Sequence, residues 1–235
     1  MYNLSVKERY NIITQKYYNI YDTYYSDDYS VDPIKTSGNL SRVLNEFLPD
    51  FFMSKPHKEN EMESLFESFK LKNFTNLKQN LREKVAANDN IYNMFNAPSL
   101  SGANSITRTL STKLGLFWED IANLSSNVVS PEIEFGIKLK GVDAILNHNG
   151  TFIYAQMKTQ KNTLTGSQVG RSTSELSVYK NSLFVACIDN NASWTYGGPI
   201  ERIVGKPFWD LCNISYERLL HNISELIQEA ESLLD

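Results

Sequence analysis

Apolar and polar positions follow three regimes along this chain. Up to about residue 124, apolar residues return every three or four positions, the spacing of one helical face. Tyr10, Ile13, Tyr17, Ile20, Tyr21 and Tyr24 predict a helix in residues 2–29, a stretch holding eight tyrosines. Ser30–Gly38, with Pro33 and Gly38, reads as a linker. Leu40, Val43, Leu44, Phe47 and Leu48 predict a second helix over Asn39–Met53. Met62, Leu65, Phe66, Phe69, Leu77 and Leu81 predict a third from about Glu59 to Ala87. Ala97-Pro98-Ser99-Leu100-Ser101-Gly102 is the clearest break, so a helical region is expected over residues 1–100 and a core over residues 101–235. The core opens on a helix, Ser105–Leu124, striped by Ile106, Leu110, Leu114, Phe117, Ile121 and Leu124.

Between about 130 and 204 the period shortens to that of strands, expected at Pro131–Lys140, Val142–Leu146, Thr151–Lys158, Ser182–Ile188 and Ile200–Val204. A polar loop, Thr159–Ser174, and a short helix around Ser174–Lys180 separate the third and fourth. A last helix, Ser215–Leu234, has Ser215 as its cap and a stripe of Leu219, Ile223, Leu226, Ala230 and Leu233. The fold class expected is α/β: a mixed central sheet flanked by helices and preceded by an α-helical region.

The stretch Gly141–Gln160, GVDAILNHNGTFIYAQMKTQ, carries the candidate chemistry. Asn149-Gly150 between apolar runs is a hairpin signal, since both residues tolerate the positive φ of a type I′ turn. That turn sets His148 opposite Thr151, Leu146 opposite Ile153, and Asp143 opposite Gln156. Lys158 follows on the same face as a diagonal neighbour. Turn chemistry thus gathers an acid, an amide and a lysine. The other face, with Ala144, Leu146, Ile153, Ala155 and Met157, is the one expected to meet a core.

Composition narrows the field. A hydrophobic fraction of 41% describes a globular chain. There is no run of eighteen apolar residues and no secretory h-region near the start, so a cytoplasmic location without membrane contact is expected. Cys187, in the run LFVACI, reads as a buried thiol. His57, His148 and His221 share no metal-ligand spacing with Cys187 or Cys212, so no zinc site is expected. No phosphate-cradling P-loop is present, so no nucleotide cofactor is expected. A net charge of −4 lacks the basic footprint of most nucleic-acid binders and leaves room only for a local basic surface.

Asp143, a spacer and Gln156-Met157-Lys158 resemble the signature of the PD-(D/E)XK nuclease superfamily, in its Gln-x-Lys variant, with Val142 where proline is usual. The chain's length is similar to that of a type II restriction endonuclease, and the similar region spans about Gly102–Asn191. The resemblance implies catalysis by Asp143, Gln156 and Lys158. It implies Mg²⁺ held by Asp143, Gln156 and the Met157 carbonyl, with Glu119 on the preceding helix as a further ligand. Glu132 and Glu134 are weaker candidates. The loop after Lys158 resembles the DNA-contacting loop of such enzymes. Asn162, Gln168 and Arg171 suit base edges, Thr163, Thr165 and Ser167 suit phosphates, and Lys161 is a further expected DNA contact.

The implied function is Mg²⁺-dependent, site-specific hydrolysis of phosphodiester bonds in double-stranded DNA by a homodimer. Within the same fold, a modification-dependent or repair nuclease is the alternative. From another class, the alternative is a catalytically silent DNA-binding or interaction protein.

Overall fold

The computed structural model describes residues 1–26, 32–86, 91–163 and 166–234, with the side chains of 76–78, 80–86, 167 and 234 left undescribed. Helix α1, Val6–Tyr21, starts at a capping box: the Ser5 hydroxyl accepts the Glu8 N–H, and the Glu8 carboxylate accepts the Ser5 N–H. Its buried line is Arg9, Ile13 and Tyr17. Ile20 is half exposed, and Tyr24 lies beyond the helix in solvent, so the predicted stripe is narrower than the tyrosines suggest. Helix α2, Pro33–Ser54, begins at Pro33 rather than Asn39. Asp32 accepts the Lys35 N–H at 3.0 Å, and proline suits the first helical position because its missing N–H would go unbonded there. The linker expected over Ser30–Gly38 is therefore helix from Pro33 onward; residues 30 and 31 lie outside the described residues.

A short 3₁₀ turn, Glu59–Glu61, leads into α3, Met62–Ala86; the expected end at Ala87 and the side chains of Leu77 and Leu81 fall outside the described residues. Next come α4, Ile91–Met94, and α5, Pro98–Ala122. The sequence break is the start of α5, and residue 100 lies in its first turn. Strand β1, Val128–Val129, precedes α6, Pro131–Phe135. The strand expected over Pro131–Lys140 is corrected to this helix. Ser130 caps it through the Ile133 N–H, Pro131 takes the first position, and Gly136 closes it at φ 64°. Those capping signals outweigh the alternation of Ile133, Phe135, Ile137 and Leu139 that spells a strand.

The remaining elements are β2, Ala144–His148; β3, Thr151–Lys158; α7, Ser167–Leu176; β4, Ser182–Ala186; β5, Glu201–Val204; α8, Lys206–Leu211; and α9, Tyr216–Glu231, capped by Ser215. Among the described residues the strands form one mixed sheet in the order β1-β2-β3-β4-β5. The first three pair antiparallel and the last three parallel, with α7 as the crossover between β3 and β4. The chain is thus mixed α/β with an N-terminal helical region, as its hydrophobic pattern predicts.

Two compact units divide the chain, Met1–Glu59 with Trp118–Ile214, and Asn60–Phe117 with Ser215–Asp235. In the first, both sheet faces are covered. Ile145, Tyr154 and Phe184 join a core with Ile13, Tyr17, Leu40, Leu44 and Phe51. On the other face lie buried Ala144, Leu146, Ala155 and Met157. There the Trp118 indole donates to Thr159 Oγ1 at 3.0 Å and the Trp209 indole to the Cys187 carbonyl at 2.8 Å. The one-sided core expected from the hairpin is therefore two-sided, because the face of Gln156 also carries Tyr154 and Phe152. In the second unit, Phe66 and Phe69 pack on Phe117 with ring centroids 4.9 and 4.3 Å apart. Among the described residues no helix is long and apolar enough to cross a membrane.

Candidate active site at the end of the hairpin

Asn149 and Gly150, at φ 52° and 81°, form the expected turn, and Asn147 Oδ1 accepts the Gly150 N–H at 3.0 Å. The register runs His148↔Thr151, Leu146↔Ile153 and Ala144↔Ala155, as the turn dictates. The ladder stops one residue short of Asp143. There the Asp143 N–H bonds the Ala155 carbonyl at 2.9 Å, and its Oδ2 accepts the Met157 N–H at 2.6 Å. Asp143 thus caps the edge of β3 with its carboxylate instead of standing in a regular pair with Gln156. The Tyr154 N–H and the Lys158 carbonyl bond on the β4 side, to the Asn181 carbonyl and the Cys187 N–H. Main-chain groups alternate along a strand, so those of Met157 point the other way, toward Asp143.

Gln156 is buried, and its Oε1 has no hydrogen-bond donor among the described residues. Burial pushes the Asp143 carboxyl up to about 6, against the Met157 N–H and the nearby Lys158 charge, which pull it down. The charge of Glu175 pushes in the same direction as burial. Glu175 is a site neighbour that sequence reasoning missed. It sits on α7, buried, and accepts from Arg171 Nε at 2.8 Å one turn earlier. A β-carbon on Gly141 would come within 2.8 Å of its Cβ, so Gly141 is the close approach that lets Glu175 lie beside the start of the motif. The signal available in the sequence is the Arg171–Glu175 spacing, a helical pair whose arginine falls in the expected loop and whose glutamate falls in the short helix expected around Ser174–Lys180.

Glu119, near the end of α5, is pushed up to about 8, first by burial and then by the charge of Asp143, while the Ser130 hydroxyl donates to it at 3.2 Å. The structure therefore places Glu119 within electrostatic reach of Asp143. Glu134 is committed elsewhere, accepting from Arg9 at 3.0 Å and from Asn123 at 2.9 Å, and Glu132 pairs with Lys138. Both stand on α6 rather than on a strand. Among the described residues no group of three His, Cys, Asp or Glu side chains could hold a metal by itself. Any cation here would need the amide and main-chain oxygens as well.

The polar segment after Lys158 is loop only in its first part. Gln168 and Arg171 lie on α7, and the helix expected around Ser174–Lys180 is this one, starting and ending earlier. Serines, a threonine and Gly170 fill α7, so Val169 and Leu176 are too few to announce its apolar face. Lys161 Nζ donates to Asp189 at 2.8 Å, the Thr163 hydroxyl to the Gln160 carbonyl at 2.7 Å, and Asn162, Gln168 and Arg171 are exposed. Thr165 and the side chain of Ser167 lie outside the described residues. Comparison with family models, with curated proteins and with solved structures returns no match.

Proposed function

We propose that this chain is a Mg²⁺-dependent endodeoxyribonuclease that hydrolyses phosphodiester bonds of duplex DNA, in the manner of a type II restriction enzyme. One observation carries the reading: the buried Oε1 of Gln156, without a donor among the described residues, at the strand end that also holds Asp143 and Lys158. A buried acceptor left without a donor costs about 1–3 kcal/mol. A hard cation supplies what that oxygen lacks, so the residues fit the ion. A mixed sheet flanked by helices is also the fold that the nuclease resemblance implies.

Asp143, Gln156 Oε1 and the Met157 carbonyl would hold Mg²⁺, which prefers hard oxygen ligands and retains several waters. Bound there, the ion supplies a Lewis acid for the phosphoryl oxygens and lowers the pKa of its water. Lys158 orients the attacking water and offsets the charge that builds on the phosphoryl oxygens as the bond to the leaving sugar oxygen breaks. Glu119 ligates only when ionised, which its burial opposes at neutral pH. Lys161, Asn162, Thr163, Thr165, Ser167, Gln168 and Arg171 follow the site in sequence and are the residues proposed to meet DNA. A homodimer would present one site to each strand of a palindromic target.

A second reading has one observation in its favour. With Gln156 in place of an acid and no three-acid group among the described residues, the fold could bind DNA without cutting it. Digestion of supercoiled plasmid with and without Mg²⁺ separates the cases. Discrete bands only with Mg²⁺ are expected; a smear means a non-specific nuclease, and intact plasmid means a binding module.

A further inference from the structure

We infer that a second site, at the far end of the same strands, binds a nucleotide-sized organic phosphate. Where the hairpin turn meets α2 and the connection from α7 to β4, the surface opens into a cavity of about 540 Å³. That volume is typical of small-molecule sites. Thr151, Phe152 and Tyr154 line it from β3, and Tyr154, the nearest of them to the motif, is two positions from Gln156, about 7 Å along the strand. None of Asp143, Gln156, Met157 and Lys158 lines it, so the cavity is distinct from the candidate active site.

Its lining includes two cations, Arg42 of α2 and Lys180 of the connection, and no Asp or Glu. Neither has a carboxylate partner among the described residues, whereas Lys161, Arg171 and Arg9 are all paired. Cations without counter-ions at the mouth of a cavity attract a phosphate, and a guanidinium can bond two of its oxygens at once. The Tyr154 hydroxyl donates to Oδ1 of Asn45, an exposed residue of the lining, at 2.7 Å, which leaves Asn45 Nδ2 to donate. Asn181 Nδ2 donates to the Phe152 carbonyl at 3.2 Å, which leaves its Oδ1 to accept. An oriented donor and acceptor suit the hydrogen-bonding edge of a base. The half-buried Phe152 ring, stacked on Phe52 at 5.8 Å, offers a flat apolar surface for its face. Phosphate, edge and ring thus each have a counterpart.

The test is titration calorimetry of the full chain with AMP, GMP, CMP and UMP in EDTA, with inorganic phosphate and a short DNA duplex as competitors. One nucleotide is expected to bind with unit stoichiometry. Arg42→Ala and Lys180→Ala should each weaken it about tenfold, the worth of one charge-assisted contact. Both side chains are exposed, so neither variant endangers folding. Displacement by the duplex would identify a strand phosphate as the natural occupant, and displacement by nucleotides alone a free one. No saturable binding of any of the four, or full affinity in the Arg42→Ala/Lys180→Ala double variant, would overturn the inference. Because the assay excludes Mg²⁺ and reads no cleavage, its outcome is independent of the nuclease reading.

Discussion

Glu119 and Asp143 both keep protons longer than carboxyls usually do, Glu119 to about 8 and Asp143 to about 6. In each case burial disfavours the charged form and a neighbouring carboxylate adds to it. Over the interval between the ordinary and the raised pKa, the folded chain binds more protons than the unfolded one. Stability therefore falls as pH rises from 3.8 to about 6 for Asp143, and from 4.5 to about 8 for Glu119. A neutral isostere should relieve that cost. Asp143→Asn keeps an acceptor for the Met157 N–H and should stabilise the metal-free fold at pH 7 by about 1–3 kcal/mol, with the gain vanishing near pH 4. Thermal melts of both proteins at the two pH values measure it. A variant less stable than wild type at pH 7 would mean that Lys158 and the Met157 N–H outweigh burial. Wild type should also gain stability on adding Mg²⁺, and Asp143→Asn should not.

The hairpin was legible at the scale of elements because its information is local. Two residues at Asn149-Gly150 set the turn, and the turn sets every pair back to Ala144↔Ala155. Gly150 and Gly141 separate what is turn chemistry from what is site. Both have positive φ, 81° and 75°, but a β-carbon on Gly150 meets nothing, while one on Gly141 strikes the Glu175 side chain at 2.8 Å. Gly150→Ala should cost only the conformational penalty of about 1–2 kcal/mol. Gly141→Ala should cost more and should also disturb Asp143, two residues on. Denaturant titrations of the pair check the order, and equal losses would refute it. Two elements misread from the sequence share one cause: capping signals beneath a competing pattern. Ser130-Pro131 starts a helix where alternation spelled a strand, and Asp32-Pro33 starts α2 inside an expected linker. Glu175 stayed hidden because α7 has almost no apolar stripe, and its closeness to Asp143 is a tertiary fact that no spacing encodes.

For the whole molecule, charge sets the terms of any encounter with DNA. The net charge is −4, and Lys161 and Arg171, both close to the motif, each pair with an acid. Few phosphates can then be neutralised, so affinity should fall only gently with salt, by a slope of about −4 or shallower in log–log form. Fluorescence anisotropy of a labelled duplex across a salt series gives that slope, and a value near −10 would demand a broad basic face in contact with the duplex. The measurement that bears most directly on the central claim is single-turnover cleavage of supercoiled plasmid by wild type, Asp143→Asn and Lys158→Ala across a Mg²⁺ titration. Wild type should cut only with Mg²⁺. Both variants should cut at least about a hundredfold more slowly while still binding DNA, since each removed group acts on charge that develops during the reaction. Cutting at the wild-type rate by both variants would contradict the account and leave the hairpin as scaffold.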